Sequence, residues 1–235
     1  MSDEHCCTLS GLLRLQSWLS PAFPTGSYSY SHGIESAVEA GYINNLESLV
    51  DWLEVDLRYG SGRNEGIFFN EAWRYATEGH RAKLFEVAEL AAAFRGTSEF
   101  ALESSQQAAA CVAMLSQVWP DHILHWLSEI LSARKIQPAL AVVLGVRSAR
   151  QGIPVDVALP AFLQSYTANL VTAGVRLIPL GQTNGQIAIA ELEKAVLAVS
   201  VQTREATVDD LGSAALMVDL ASVAHETQYT RLFRS

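Results

Sequence analysis

The sequence has few charged residues. Asp, Glu, Lys and Arg make up 17% of its 235 residues, compared with about 25% in an average soluble domain, while 49% of the residues are hydrophobic. So few charges cannot cover the whole surface of a helical protein, and we expect some faces to be buried against a second copy or against partners. The net charge of −9 argues against nucleic acid as the main ligand. The composition therefore predicts a homodimer that binds other proteins.

Cysteines, a secretory leader and long apolar runs are also scarce or missing. The three cysteines, Cys6, Cys7 and Cys111, provide no disulfide framework. Residues 1–5 lack the basic start of a secretory signal. The longest run without charges, between positions 156 and 176, contains a proline and several polar residues, which argues against a membrane span. These absences predict a cytoplasmic protein that has no contact with a membrane.

Motifs for nucleotide and metal chemistry are missing or weak. No glycine-rich turn with Lys and Ser or Thr leads into a helix, so we do not expect the chain to hydrolyse a nucleotide by itself. The best run of potential metal ligands is residues 3–7, in which His5, Cys6 and Cys7 are the weak candidates. Adjacent cysteines do not have the spacing of a closed zinc site. We expect residues 1–8 to be a flexible N-terminus, and the protein to hold no metal or cofactor of its own.

Hydrophobic residues recur at helical spacing along most of the chain. Prolines, glycines and capping residues separate these runs, and no alternating pattern of convincing length predicts a strand. The pattern predicts an all-α protein, a single-domain bundle of about nine or ten helices over residues 9–224 without significant sheet. The predicted helices include those over residues 34–40, 98–119, 157–173, 184–203 and 208–227.

A loop at residues 20–35 interrupts the helical pattern. Two prolines prevent either neighbouring helix from running through it, and two glycines allow backbone angles closed to other residues. The loop also carries Tyr28, Tyr30 and His32 instead of only small polar residues. Such a loop either packs on the body of the protein as a helix connection or presents itself to a partner. The sequence leaves both interpretations open.

A second break lies at residues 174–186, with a proline and three glycines around the single cation Arg176. The planar guanidinium suits a carboxylate or a group of carbonyls, so Arg176 is a candidate for binding, together with Gln182. The competing interpretation is a C-terminal helix cap.

The C-terminal tail, residues 225–235, ends an acidic chain with two cations. Arg231 and Arg234 flank Leu232 and Phe233, and Tyr229 precedes them. Such a segment would fray by itself, so we expect it to be mobile in the free protein and to become ordered on a partner. The sequence therefore predicts a partner-binding tail.

The histidines suggest two other classes of function. Ser31 and His32 could serve as nucleophile and base in a small helical hydrolase. However, adjacent residues rarely face one another, no orienting acid is apparent and the G-x-S-x-G pattern is absent. A carrier of haem or of another small ligand would use His225. Both remain as alternatives to a scaffold.

Three segments together resemble one protein family. They read S-P-A-F-P-T-G-S-Y-S-Y-S-H-G-I-E in the loop, V-R-L-I-P-L-G-Q-T-N-G-Q in the second break and H-E-T-Q-Y-T-R-L-F-R-S in the tail. In this order they resemble the family of the urease accessory protein UreF, and the resemblance runs essentially end to end. Residues 95–110 fit least, because family members often carry several arginines there. No role that rests on those arginines is carried over to this chain.

The resemblance implies an all-helical, non-catalytic protein. UreF-like proteins form homodimers that join UreD (UreH in some species) and the GTPase UreG, modulate that GTPase, and support the delivery of nickel to apo-urease. Nickel would pass through the complex as cargo. On this resemblance, Tyr28 and Arg231 are the best candidates for the contact with UreD. The full set of expected partner-binding residues is Tyr28, Tyr30, His32, Arg176, Gln182, Tyr229, Arg231, Leu232, Phe233 and Arg234.

Overall fold

The computed structural model describes residues 9–234, and in that range the chain folds into eleven α-helices and two short 3₁₀ turns, with no strand. The all-α prediction is confirmed, and the number of helices is slightly above the nine or ten expected. Within the same range, no helix combines the length and the apolar character that crossing a membrane requires. The helices are α1 (Leu9–Leu19), α2 (Ile34–Glu39), α3 (Leu46–Tyr59), α4 (Ser61–Glu78), α5 (Arg81–Ala93), α6 (Ser98–Val118), α7 (His122–Ala133), α8 (Leu140–Arg150), α9 (Val155–Leu177), α10 (Gly181–Glu205) and α11 (Leu216–Glu226).

The helices α4 and α8 form the centre of the bundle. Eleven of the 18 residues of α4 and eight of the 11 residues of α8 are buried. The two helices pack closely because α8 has a glycine at the crossing: a Cβ at Gly145 would lie 2.5 Å from the carbonyl oxygen of Phe69. The ring of Phe69 also stacks on Phe162 of α9, with 5.0 Å between the centroids. The outer helices therefore surround a core that two nearly buried helices hold together.

The chain after α10 differs from the sequence prediction. A single helix was expected over residues 208–227, but the structure has a 3₁₀ turn at Val208–Asp210, an extended stretch, and then α11. In the extended stretch, the N–H of Gly212 donates to the side chain of Asn64, and the N–H of Ala214 donates to the carbonyl of Tyr59. These bonds to distant parts of the chain replace helical bonds, which hydrophobic spacing alone cannot reveal.

The end of the loop is pressed against α11. His32 and Gly33 both have left-handed backbone angles, with φ values of 56° and 79°. A Cβ at Gly33 would lie 2.9 Å from the backbone nitrogen of Ser222, so only glycine fits there without a shift. The turn sends the chain into α2, which packs against α11, and α11 packs against α6 as well. The loop, α2, α6 and α11 therefore come together at one end of the molecule.

Candidate functional site

The loop and the C-terminal tail lie side by side. The N–H of Arg234 donates to the carbonyl of Ser29 over 2.7 Å. Arg176, in the last turn of α9, donates from Nη1 to the carbonyl of Tyr28 over 2.7 Å, and its guanidinium lies 4.4 Å from the ring centroid of Phe233. Arg176 therefore joins the loop to the tail through a carbonyl and a cation–π contact, in agreement with the carbonyl-binding interpretation of this residue.

One buried carboxylate holds the backbone of the tail. Glu35, in the first turn of α2, accepts the N–H of Leu232 at Oε1 over 2.5 Å and the N–H of Phe233 at Oε2 over 2.9 Å. The side chain of Phe233 is buried, with 4% of its surface exposed. Residues 227–234 are therefore folded against their own chain in the structure, whereas the sequence led us to expect a mobile segment.

A second carboxylate and a histidine extend this contact. The fully buried His225, at the end of α11, has its Nε2 3.1 Å from Glu35 Oε2 and its Nδ1 2.6 Å from Glu99 Oε2. The other oxygen of Glu99 accepts from Arg231 Nη1 over 3.1 Å. Burial raises the pKa of the Glu99 carboxyl above its usual value, although the charges of His225 and Arg231 act to lower it. Four ionisable groups from α2, α6, α11 and the tail thus form one cluster.

His32 belongs to a separate buried network. Its Nδ1 lies 3.0 Å from Glu103 Oε2, and its Nε2 lies 3.1 Å from the hydroxyl of Tyr166, which donates to Asp56 over 2.7 Å. The imidazole also stacks on Phe100 with 3.9 Å between the centroids. Burial acts to lower the pKa of His32, but Glu103 and Asp56 outweigh it, so the pKa lies above its ordinary value. Burial and the carboxylate of Asp56 place the pKa of Tyr166 well above its usual range.

Three members of this network, His32, Glu103 and Tyr166, line a cavity of about 340 Å³ between α1, α4, α6, α8 and α9. Arg95 and Glu65 form an ion pair at the same wall. Cys111, also on the wall, is buried, and its burial raises the thiol pKa to about 12, so the thiol stays protonated and unreactive at neutral pH. In the part of the chain that the structure describes, no three His, Cys, Asp or Glu side chains are placed to hold a metal ion.

The expected partner-binding residues separate into two groups. Tyr30, His32 and Phe233 are buried within the chain itself. The exposed residues are Tyr28, Arg176, Gln182, Tyr229, Arg231, Leu232 and Arg234. The weak metal candidates His5, Cys6 and Cys7 lie outside the described residues.

Neither histidine alternative is favoured by this geometry. Ser31 is fully buried, and the two ring nitrogens of His32 lie against Glu103 and Tyr166. His225 is likewise buried with both ring nitrogens against carboxylates, so neither nitrogen is available to a haem iron.

Sequence reasoning missed the acids that hold these histidines. Glu99 and Glu103 lie one turn apart on α6, and each binds a different histidine. Their spacing of four residues puts them on one face of the helix, which is a possible signal, but their partners lie 126 and 71 positions away in the sequence. Local patterns cannot identify such partners.

The fold and the site define an all-α protein in which buried ionic contacts hold a loop and a C-terminal tail side by side, with aromatic and basic side chains facing outward. A sequence model of the UreF family matches residues 43–193. A urease accessory protein UreF of Rhodopseudomonas palustris (strain BisB5) is 45% identical over 226 residues, which cover 96% of this chain and 92% of the relative. The protein of the same name from Granulibacter bethesdensis is 44% identical over 239 residues and covers 100% of both chains. The chain belongs to the UreF family of urease accessory proteins.

Proposed function

We propose that this protein is a non-catalytic scaffold in urease maturation. It forms a homodimer in the cytoplasm, joins UreD (UreH in some species) to the GTPase UreG, modulates that GTPase and supports the insertion of nickel into apo-urease. Nickel is the cargo of the complex and not a resident cofactor of this chain. Membership of the UreF family supports the role in urease maturation, and the surface formed by the loop and the tail supports the role as a scaffold.

The observation that carries the proposal is a set of exposed anchors on a fixed backbone. Tyr229 is fully exposed, Tyr28 is 71% exposed and Leu232 is 57% exposed. The backbones of Tyr28 and Leu232 are held by contacts to Arg176 and Glu35, respectively. Large side chains that are presented on an ordered backbone lose little entropy when they bind, which is typical of the residues that dominate protein–protein interfaces. We assign this surface to UreD.

Exposed apolar side chains elsewhere support the homodimer and further contacts. On α11, Leu216, Leu220 and Val223 are between 49% and 65% exposed. On α1, Leu9 and Leu13 are 81% and 66% exposed. A chain with so few charges leaves these apolar faces exposed to water as a monomer. Burying them between subunits stabilises the assembly through the hydrophobic effect.

Co-expression with candidate UreD and UreG proteins tests the proposal. We expect the three proteins to leave a size-exclusion column together, and light scattering to give a dimer for this protein alone. The isolated protein should show no GTP turnover. Elution apart from both folded partners, or GTP hydrolysis by the isolated protein, would contradict the proposal.

A further inference from the structure

The side chain of Arg147, on α8, is fully buried and makes no hydrogen bond to any residue that the structure describes. Its Nε, Nη1 and Nη2 atoms are all covered by protein atoms, and none of them has an acceptor. A guanidinium carries five N–H groups and stays charged in proteins, so burying it without acceptors is costly. Native structures satisfy such groups with side chains, water or ions. The guanidinium of Arg147 therefore calls for a further partner.

One carboxylate lies near this guanidinium, but other groups share it. Asp121 Oδ2 is 3.7 Å from Arg147 Nη1, which is too far for a hydrogen bond, and it accepts from Arg150 Nε over 3.2 Å. The other oxygen of Asp121 caps α7, where it accepts the N–H groups of Ile123 and Leu124. A single carboxylate cannot neutralise both arginines, so one positive charge is left over.

The surroundings of Arg147 add to this excess of positive charge. Burial lowers the pKa of the Arg147 guanidinium, and the charge of Asp121 acts against burial. Arg14 of α1 and Arg150 repel the guanidinium, so they act in the same direction as burial. A water molecule would accept from some of the N–H groups but would leave the charge uncompensated. An anion accepts these bonds and balances the charge, which a buried cation requires.

The neighbours of Arg147 supply a second unpaired donor and adjoin the cavity. The ring of Trp18, which is 3% exposed, lies 5.4 Å from the guanidinium, and its Nε1 also has no acceptor. An indole N–H can only donate, so both side chains call for the same kind of partner. The cavity of about 340 Å³ is lined by Trp18, Cys111 and Leu144, and Leu144 lies one turn before Arg147 on α8.

We propose that Arg147 and Trp18 form a site for a small monovalent anion, of the size of chloride, at the edge of this cavity. The anion accepts N–H groups from both side chains and neutralises the charge that Asp121 leaves over. Because the nitrogens are covered, a large anion does not fit beside them. The site belongs to the isolated chain, so it does not depend on the proposed function.

An exchange of anions at constant ionic strength tests the site in the full-length protein. Sodium gluconate is replaced stepwise by sodium chloride, and the unfolding equilibrium is measured with urea. An anion that binds only the folded state should lower the unfolding equilibrium constant about tenfold when its concentration is about ten times its Kd. Gluconate has the same charge as chloride but is too large for a covered site. Equal stability in the two salts would overturn the proposal.

Arg147→Met identifies the residue on which the chloride effect depends. Methionine keeps a long side chain in the core but removes the charge, so we expect the stability of this variant to be the same in chloride and in gluconate. Arg134→Met is the matched control, because Arg134 is exposed at the end of α7, and it should keep the chloride dependence of the wild type. A chloride dependence that persists in Arg147→Met would refute the site.

Crystals of the full-length wild-type protein grown in bromide locate the anion, and this measurement stands even if Arg147→Met does not fold. Bromide takes the place of chloride and scatters X-rays anomalously. We expect an anomalous peak within hydrogen-bonding distance of the Arg147 guanidinium and of Trp18 Nε1. Peaks confined to exposed side chains, or the absence of any peak, would overturn the proposal.

Discussion

Glu99 and Glu103 lie one turn apart on α6, and each carboxylate holds a different buried histidine. Glu99 binds His225 and, through its other oxygen, the tail residue Arg231, whereas Glu103 binds His32 at the end of the loop. A single helical turn thus supports both segments that form the proposed surface for UreD. Substitutions in this region should therefore fall into two groups. One group alters the side chains that hold the loop and the tail in place, and the other alters only exposed side chains of the proposed surface.

Tyr28→Ala removes an exposed anchor. Because the ring is 71% exposed, the free energy of unfolding should change by less than about 0.5 kcal/mol. Binding to UreD should weaken by about thirtyfold, the effect of losing roughly 2 kcal/mol at an interface hot spot. Chemical denaturation and a titration with UreD measure the two quantities. Tyr59→Ala, at a similarly exposed tyrosine on α3, is the control, and wild-type affinity in Tyr28→Ala would rule out this contact.

Arg231→Ala removes a side chain that both holds the tail, through Glu99, and belongs to the exposed surface. Arg231 donates to Glu99 and to the carbonyls of Gln228 and Glu226, but it is partly exposed, so solvent screening limits its ion pair to about 1 kcal/mol. We expect unchanged helix content and an unchanged dimer, a small loss of stability in the tail, and binding to UreD weakened by about tenfold or more.

Circular dichroism, light scattering and a titration with UreD measure these properties of Arg231→Ala. Lys194→Ala, at an exposed cation on α10, is the control. If Arg231→Ala lowered the melting temperature but bound UreD normally, Arg231 would act only within its own chain.

Phe233→Ala removes the buried side chain that anchors the tail. Truncating a buried phenylalanine costs about 3–5 kcal/mol, and this change also removes the cation–π contact with Arg176. The tail should open locally, so hydrogen exchange in residues 228–234 should become much faster while the global unfolding midpoint changes little. Leu232→Ala, one residue away but 57% exposed, should leave the exchange rates nearly unchanged. Equal exchange in both variants would show that the ring of Phe233 does not hold the tail.

The stability of the fold should depend on pH through His32. Its pKa is raised from the ordinary value of 6.5, so the folded state holds the proton more tightly than the unfolded chain does. That contribution is fully present below the unfolded pKa and is lost as the pH rises through the folded pKa. We therefore expect the free energy of unfolding to decrease from neutral to mildly alkaline pH.

Urea denaturation at a series of pH values checks the dependence on His32. His32→Asn should flatten this part of the profile, because asparagine cannot take up the proton yet tolerates the left-handed backbone at this position. His125→Asn, at an exposed histidine, should keep the wild-type slope. A stability that rises through this pH range in the wild type would contradict the role of His32.

The sequence by itself determined the helical class, most of the helices and the membership of the UreF family. Hydrophobic spacing, prolines and capping residues act within a few positions of the chain, so they can be read locally. The same local signals marked the loop, the break around Arg176 and the tail as segments with a special role. They also predicted one continuous helix over residues 208–227, whereas the structure has a 3₁₀ turn followed by the shorter α11. Bonds to Asn64 and Tyr59 replace helical bonds between the two.

Only the tertiary structure decided which of the marked residues face outward and what holds them. Tyr28 and Tyr30 stand two positions apart in the loop, yet one is exposed and the other is buried. Glu35 and Phe233 meet although 198 positions separate them, and the bond between them keeps the tail on the body of the protein. Which side chains pair across such distances follows from how the helices pack, because burial requires each polar group to find a partner wherever the fold places one.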